Sequence, residues 1–134
     1  MPADAPTYLT LSDVLAAHEA AMAVTGYTPA PLRDQGALEG AIACPHMLAH
    51  YEDADLVTQA VALILAISQA QAFVDGNKRT AMTAGLVFLR VNGQVFTGDS
   101  ELLAVLIEEA ASQLQDEARA TIADWLRPRL AATE

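Results

Sequence analysis

The sequence is short of cysteine, of positive charge and of long apolar runs, and each shortage excludes a class of protein. Its single cysteine, Cys44, has no partner for an internal disulfide, so a reducing compartment, the cytoplasm, is expected. Lysine and arginine number 7 against 17 aspartates and glutamates, a formal net charge of −10. Such a chain does not coat a nucleic-acid backbone unless its few cations gather on one face, and no such face is visible. Residues 56–74 carry no charge, but Thr58, Gln59, Ser68, Gln69 and Gln71 break the stretch and leave only residues 60–67 as an apolar run. A membrane span needs about 20 mostly apolar residues, so a central helix buried on nearly all sides is expected instead. The opening Met1-Pro2-Ala3-Asp4-Ala5-Pro6 holds an acid and no lysine or arginine, unlike a secretory leader.

What is present is enough apolar material for a core. Hydrophobic residues make up 53% of 134, which suits one domain of ordinary size and argues against disorder. Nearly every segment reads as helix. Thr10 or Ser12 caps a first helix with Asp13 in its opening turn, and Val14, Leu15, Ala17 and Met22 recur at roughly helical spacing. Gly26 ends it, and residues 27–33, with two prolines, read as loop. A short helix is expected over 35–43, stopping before Pro45, and then a loop over 45–53 that holds His46 and His50. Long helices follow over about 54–72 and 77–91, the second ended by Asn92-Gly93. Residues 94–96 suit a short extended piece. Asp99 or Ser100 caps a helix reaching about Gln113, and Asp116 starts a last one that ends near Pro128. No repeat, low-complexity tract or linker interrupts the chain, and one all-α domain over residues 1–134 is predicted. His18 and Trp125 are most simply structural, on the first and last helices.

The two most apolar helices are joined only by Phe73, Val74, Asp75 and Gly76, so they should pack centrally with their connection at one end of the core. That connection continues into Asn77-Lys78-Arg79. Gly76 permits a backbone conformation closed to other residues and a close approach by a ligand. The N–H groups after it start a helix without partners, which is a ready phosphate site. Lys78, the only lysine, and Arg79 lie in that first turn, the end at which a cation is disfavoured by roughly 0.3–1 kcal/mol. A bound polyphosphate reverses that sign. Asp75 is placed to hold a Mg²⁺ bridging phosphate oxygens, Asn77 to donate to a phosphate or cap the turn, and Phe73 to anchor the loop in the core. The plain alternative is an ordinary Asp-Gly-Asn cap followed by two solvated cations.

The segment Gln71-Ala72-Phe73-Val74-Asp75-Gly76-Asn77-Lys78-Arg79-Thr80-Ala81 resembles the motif of the Fic fold, His-x-Phe-x-Asp/Glu-Gly-Asn-Gly-Arg, in the form of its Doc branch, where lysine replaces the second glycine. Tyr8-Leu9-Thr10, Leu32-Arg33-Asp34 with Leu38-Glu39, Phe88-Leu89 before Asn92-Gly93, and Trp125-Leu126 resemble the same family in order and spacing. The resemblance implies a Fic/Doc helical bundle and a toxin of a toxin–antitoxin pair, neutralised by a small Phd-like antitoxin. It also implies ATP and Mg²⁺ as ligands and, for the Doc branch, a kinase acting on elongation factor Tu. Gly76, Asn77, Lys78 and Arg79 would then bind the nucleotide phosphates, with Lys78 favouring kinase chemistry. AMP transfer, the activity of most Fic proteins, is opposed by Lys78 and by Met82, where those relatives usually carry a second arginine.

One residue departs from the pattern. Gln71 stands where the family has its histidine, the group that takes a proton from the target hydroxyl. An amide has no useful basicity near neutral pH, and losing a general base typically costs about 10²–10⁴-fold in rate. Three explanations follow: a natural degenerate member, a version inactivated by substitution, or a different base, for which His46 and His50 are candidates. Some Fic proteins carry an inhibitory Ser/Thr-x-x-x-Glu-Gly/Asn helix. Thr97 and Glu101 have the spacing, but Leu102 breaks the pattern, so inhibition from outside is expected.

Overall fold

A computed structural model describes residues 5–133; the leader expectation for Met1 to Asp4 lies outside the described residues. The described chain is six α-helices, one 3-10 turn over Arg127–Arg129 and one small two-stranded sheet, an all-α architecture in the sense expected. Helix α1 spans Leu11–Val24, α2 Gln35–Glu52, α3 Leu56–Ala70, α4 Asn77–Val91, α5 Ser100–Ala110 and α6 Gln115–Leu126. Strand β1 (Gln94–Phe96) pairs antiparallel with β2 (Leu130–Ala132), Val95 opposite Ala131. Among the described residues no helix is long and apolar enough to cross a membrane.

Most helices begin where a side chain satisfies their first N–H groups. Thr10 and Asp13 form a reciprocal capping box on α1, with bonds of 3.1 and 2.8 Å. Asp34 accepts from Ala37 N–H on α2, Asp55 from Thr58 on α3, and Asp99 from Glu101 on α5. Helix α4 has no such side chain.

Helix α2 corrects the sequence expectation. It does not stop before Pro45 but runs to Glu52, and Asp53 ends it in the left-handed region at φ 52°. A proline inside a helix removes one backbone bond and crowds the preceding turn, at a cost of about 3 kcal/mol. Here Pro45 is itself buried in line with Leu38 and Ala41, a stripe at helical spacing that continues through the proline. Packing of that stripe offsets the lost bond. His46 and His50 consequently sit on helix, both exposed, not in a loop beside the motif. They lie 12 and 16 residues beyond Asp34, about 18 and 24 Å along the axis. Asp34 is the end of α2 that bonds to Ala72, so neither histidine flanks the motif loop.

Helix α3 is the centre of the bundle: Gln59 to Leu65 are buried without a break. Buried Gln59 is paired at both ends of its amide, accepting from Tyr8 Oη at 2.7 Å and donating to the Ala54 carbonyl at 2.9 Å. Helices α3 and α4 approach closely at Gly85, where a Cβ would lie 2.3 Å from Ile64 Cγ1. Trp125 is half-buried, packed at the core's edge with Arg129 over its ring at 4.1 Å. The turn after α4 gathers both described ends. Asn92 binds the Thr7 N–H and carbonyl at 2.7 and 2.9 Å, and Gly93 accepts from Thr133 N–H at 2.9 Å.

Candidate functional site

The segment between α3 and α4 is clamped from three sides. The chain entering α2 runs antiparallel to it: Arg33 and Asp34 N–H both donate to the Ala72 carbonyl, and Val74 N–H donates to Pro31. From within, the Asn77 amide accepts from Phe73 N–H at 3.0 Å and donates to the Phe73 carbonyl at 2.9 Å. From below, Phe73 is buried and lies flat on the His18 ring, centroids 3.9 Å apart at 5°. Gly76 stands at φ 81°, and a Cβ there would meet Met22 Sδ at 2.5 Å. A left-handed conformation with a neighbour pressed against it requires glycine.

Gln71, Val74, Asp75, Gly76, Asn77, Lys78 and Arg79 line one open groove of about 380 Å³, so the structure brings the sequence-predicted residues together. Their states differ. The Asn77 side chain is occupied by Phe73 and braces the loop; a phosphate would meet its backbone N–H. Among the described residues the N–H groups of Asn77, Lys78 and Arg79 have no acceptor. Asp75 Oδ1 accepts from Gly76 N–H at 2.8 Å, and its second oxygen takes no bond among the described residues. That oxygen belongs to the carboxylate the groove would offer a Mg²⁺, and no cluster of three or more metal-ligating side chains accompanies it among the described residues. Arg79 lies over the Tyr27 ring at 5.3 Å and against Met22 Sδ at 3.9 Å. Lys78 is ion-paired with Glu108 of α5, and that bond and charge hold the Glu108 carboxyl below its usual range.

Gln71 ends α3 in the left-handed region at φ 50°. Its side-chain amide folds back to donate to the Ser68 carbonyl at 2.7 Å, and the Gln71 backbone carbonyl accepts from Arg33 Nη2 at 2.8 Å. Arg33 is thus a loop-holding residue in this structure. Thr97 gives its N–H and hydroxyl to the Arg129 carbonyl, at 2.8 and 2.9 Å.

Sequence reasoning placed His18 as structural but missed what it supports. The ring is buried, Nε2 accepts from Ala30 N–H at 2.9 Å, and Nδ1 is 2.8 Å from Thr80 Oγ1. Since Ala30 N–H can only donate, Nδ1 carries the proton and donates to Thr80. Burial pushes the imidazole below its usual range, with the Glu19 and Asp75 carboxylates opposing. A histidine held neutral in the fold stabilises it fully above the unfolded-state value, near 6.5. That stability is lost as pH falls through the folded value, because the unfolded chain binds the proton first. Between pH 7 and 5 the urea midpoint is therefore expected to fall further in the parent chain than in His18→Gln. Equal falls in both would show that this ring is not the cause.

The comparisons with known proteins agree with this geometry. The sequence profile described as the Fic/DOC family matches residues 8–89, a span that contains α1, α2, α3 and the clamped loop. The chain is similar to Toxin Doc of Mycolicibacterium smegmatis, 36% identical over 97 residues, covering 71% of this chain and 72% of the relative. It is also similar to Protein kinase doc of Escherichia phage P1, 34% identical over 122 residues, covering 90% of this chain and 93% of the relative. With more than half its length under the family profile and two relatives of the Doc kind matched over most of theirs, the chain belongs to the Fic/DOC family, on its Doc branch.

Proposed function

We propose that this chain is a Doc-type toxin of a toxin–antitoxin pair, built as one domain, that binds Mg-ATP in the groove over α4. Its activity is that of a protein kinase on a translation factor, elongation factor Tu in the reading carried from the sequence, and it is slowed because Gln71 replaces the motif histidine. A Phd-like antitoxin is its partner, and the cytoplasm is where it acts. The observation that carries this reading is the start of α4: three N–H groups without an acceptor among the described residues, a glycine at φ 81°, and Arg79 beside them. The two relatives named as toxin and as protein kinase support the same reading.

The residues divide the work. The backbone at Asn77, Lys78 and Arg79, with the Arg79 guanidinium, binds and orients the phosphates; Asp75 would hold a Mg²⁺, which would supply neutralisation of phosphate charge. In-line phosphoryl transfer depends mainly on such positioning and neutralisation. The γ-phosphorus forms a bond to the target hydroxyl oxygen as its bond to the ADP leaving oxygen breaks, and the hydroxyl proton passes to solvent water. No group at Gln71 can take it. That single fact favours a second reading, a catalytically silent module that keeps nucleotide and antitoxin binding. AMP transfer is the third.

Incubation with γ-labelled and α-labelled ATP, Mg²⁺ and elongation factor Tu separates them. Label from the γ position alone is the expected result, at a low rate. Label from α would identify AMP transfer instead, and ATP binding without any transfer would identify the silent module. If calorimetry detects no Mg-ATP binding, or binding that Arg79→Met does not weaken, the phosphate site is misassigned.

A further inference from the structure

Lys78 and Glu108 are each at the unfavourable end of a helix. Lys78 lies in the first turn of α4, where the helix dipole is positive, and Glu108 in the last turn of α5, where it is negative. Each is about two-thirds exposed, and among the described residues each has only the other as a partner of opposite charge. The second cation of the motif is in a different state. Arg79 lies on Tyr27 and Met22 and pairs with no carboxylate among the described residues. The Lys78–Glu108 pair borders a recess of about 110 Å³ between α4 and α5 that shares Lys78 and Arg79 with the phosphate groove.

We infer that Glu108 is the resident anion of the phosphate loop: its carboxylate holds the Lys78 ammonium until a polyphosphate takes its place. This rests on the phosphate-binding reading above and adds to it the residue that sets affinity. The cost of freeing the ammonium is the same whatever the rest of the ligand is, so Glu108 weakens every polyphosphate that uses Lys78 by a common factor. It does not touch ligands held by Arg79 and the backbone alone. The pair is exposed, so the factor is modest, about two- to fivefold, and it shrinks as salt screens the charges.

The test is calorimetric titration of inorganic triphosphate, at low ionic strength, into the full chain, Glu108→Gln, Lys78→Met and the double variant. Glu108 is exposed, and unchanged melting of Glu108→Gln checks that the fold is kept. Glu108→Gln is expected to bind about two- to fivefold tighter than the parent chain, Lys78→Met weaker, and the gain from Glu108→Gln to vanish in the Lys78→Met background. Triphosphate binding that Glu108→Gln leaves unchanged overturns the inference while the phosphate site stands. A gain that persists without Lys78 also overturns it, because it would report simple long-range repulsion. Absence of binding to all four chains overturns the phosphate site and the inference together.

Discussion

Gln71→His is expected to raise γ-phosphoryl transfer to the target by about 10²–10⁴-fold, the usual worth of a positioned general base. The backbone is prepared for it. Residue 71 stands at φ 50°, a conformation in which histidine is found more readily than glutamine. The glutamine amide is fixed only by one bond to the Ser68 carbonyl, and nothing in the core depends on it because the side chain is exposed. The imidazole would stand at the wall of the same groove as Asp75 and Arg79. The measurement is initial rate with γ-labelled ATP at saturating nucleotide, beside Mg-ATP affinity and melting temperature. Affinity and melting should hardly move, since the substitution alters neither the α4 start nor the core. A rate within threefold of the parent, at equal ATP affinity, would mean that the histidine is not what this chain lacks.

Phe73→Ala should cost roughly 3–5 kcal/mol of stability, the range for removing a large buried aromatic. Phe73 is 1% exposed, faces the His18 ring at 3.9 Å, and has both its backbone groups held by Asn77. The cavity would therefore open under the loop itself. With domain stabilities commonly about 5–15 kcal/mol, the variant would be marginal. Denaturant unfolding should show a lower midpoint at a similar slope, and Phe73→Leu should recover most of the loss. A loss below about 1 kcal/mol would mean that the site collapses and that the stacked pair is not the anchor.

How much could be read in advance depended on how local the cause was. The span of α4 was legible to the residue because its signals are local: Gly76 before it, Asn92-Gly93 after it. The central place of α3 followed from an uncharged, mostly apolar stretch. The second half of α2 was not legible, because Pro45 is a local stop signal that is overruled only by the buried line of Leu38, Ala41 and Pro45. Strand β2 is three residues long and exists only because β1 lies beside it. In the groove, the backbone chemistry of Gly76 was readable, and the partners were not. Asn77 had two plausible uses, and only the fold shows that Phe73 takes its amide. Glu108 is 30 residues from Lys78, with no pattern in the sequence to join them. Lys78 at a helix start therefore has an anion in the folded chain already, and the groups that still call for one are Arg79 and the N–H groups without an acceptor among the described residues.

The turn at Asn92 and Gly93 holds Thr7 on one side and Thr133 on the other. Topologically, the described chain is a nearly closed ring fastened at the C-terminal end of α4. The groove opens at the opposite end of the same helix, and 15 residues of helix make a spacer of about 22 Å. A load pulling on the chain at Thr7 and Thr133 would thus act on the foot of α4 first, with the whole helix between it and the loop.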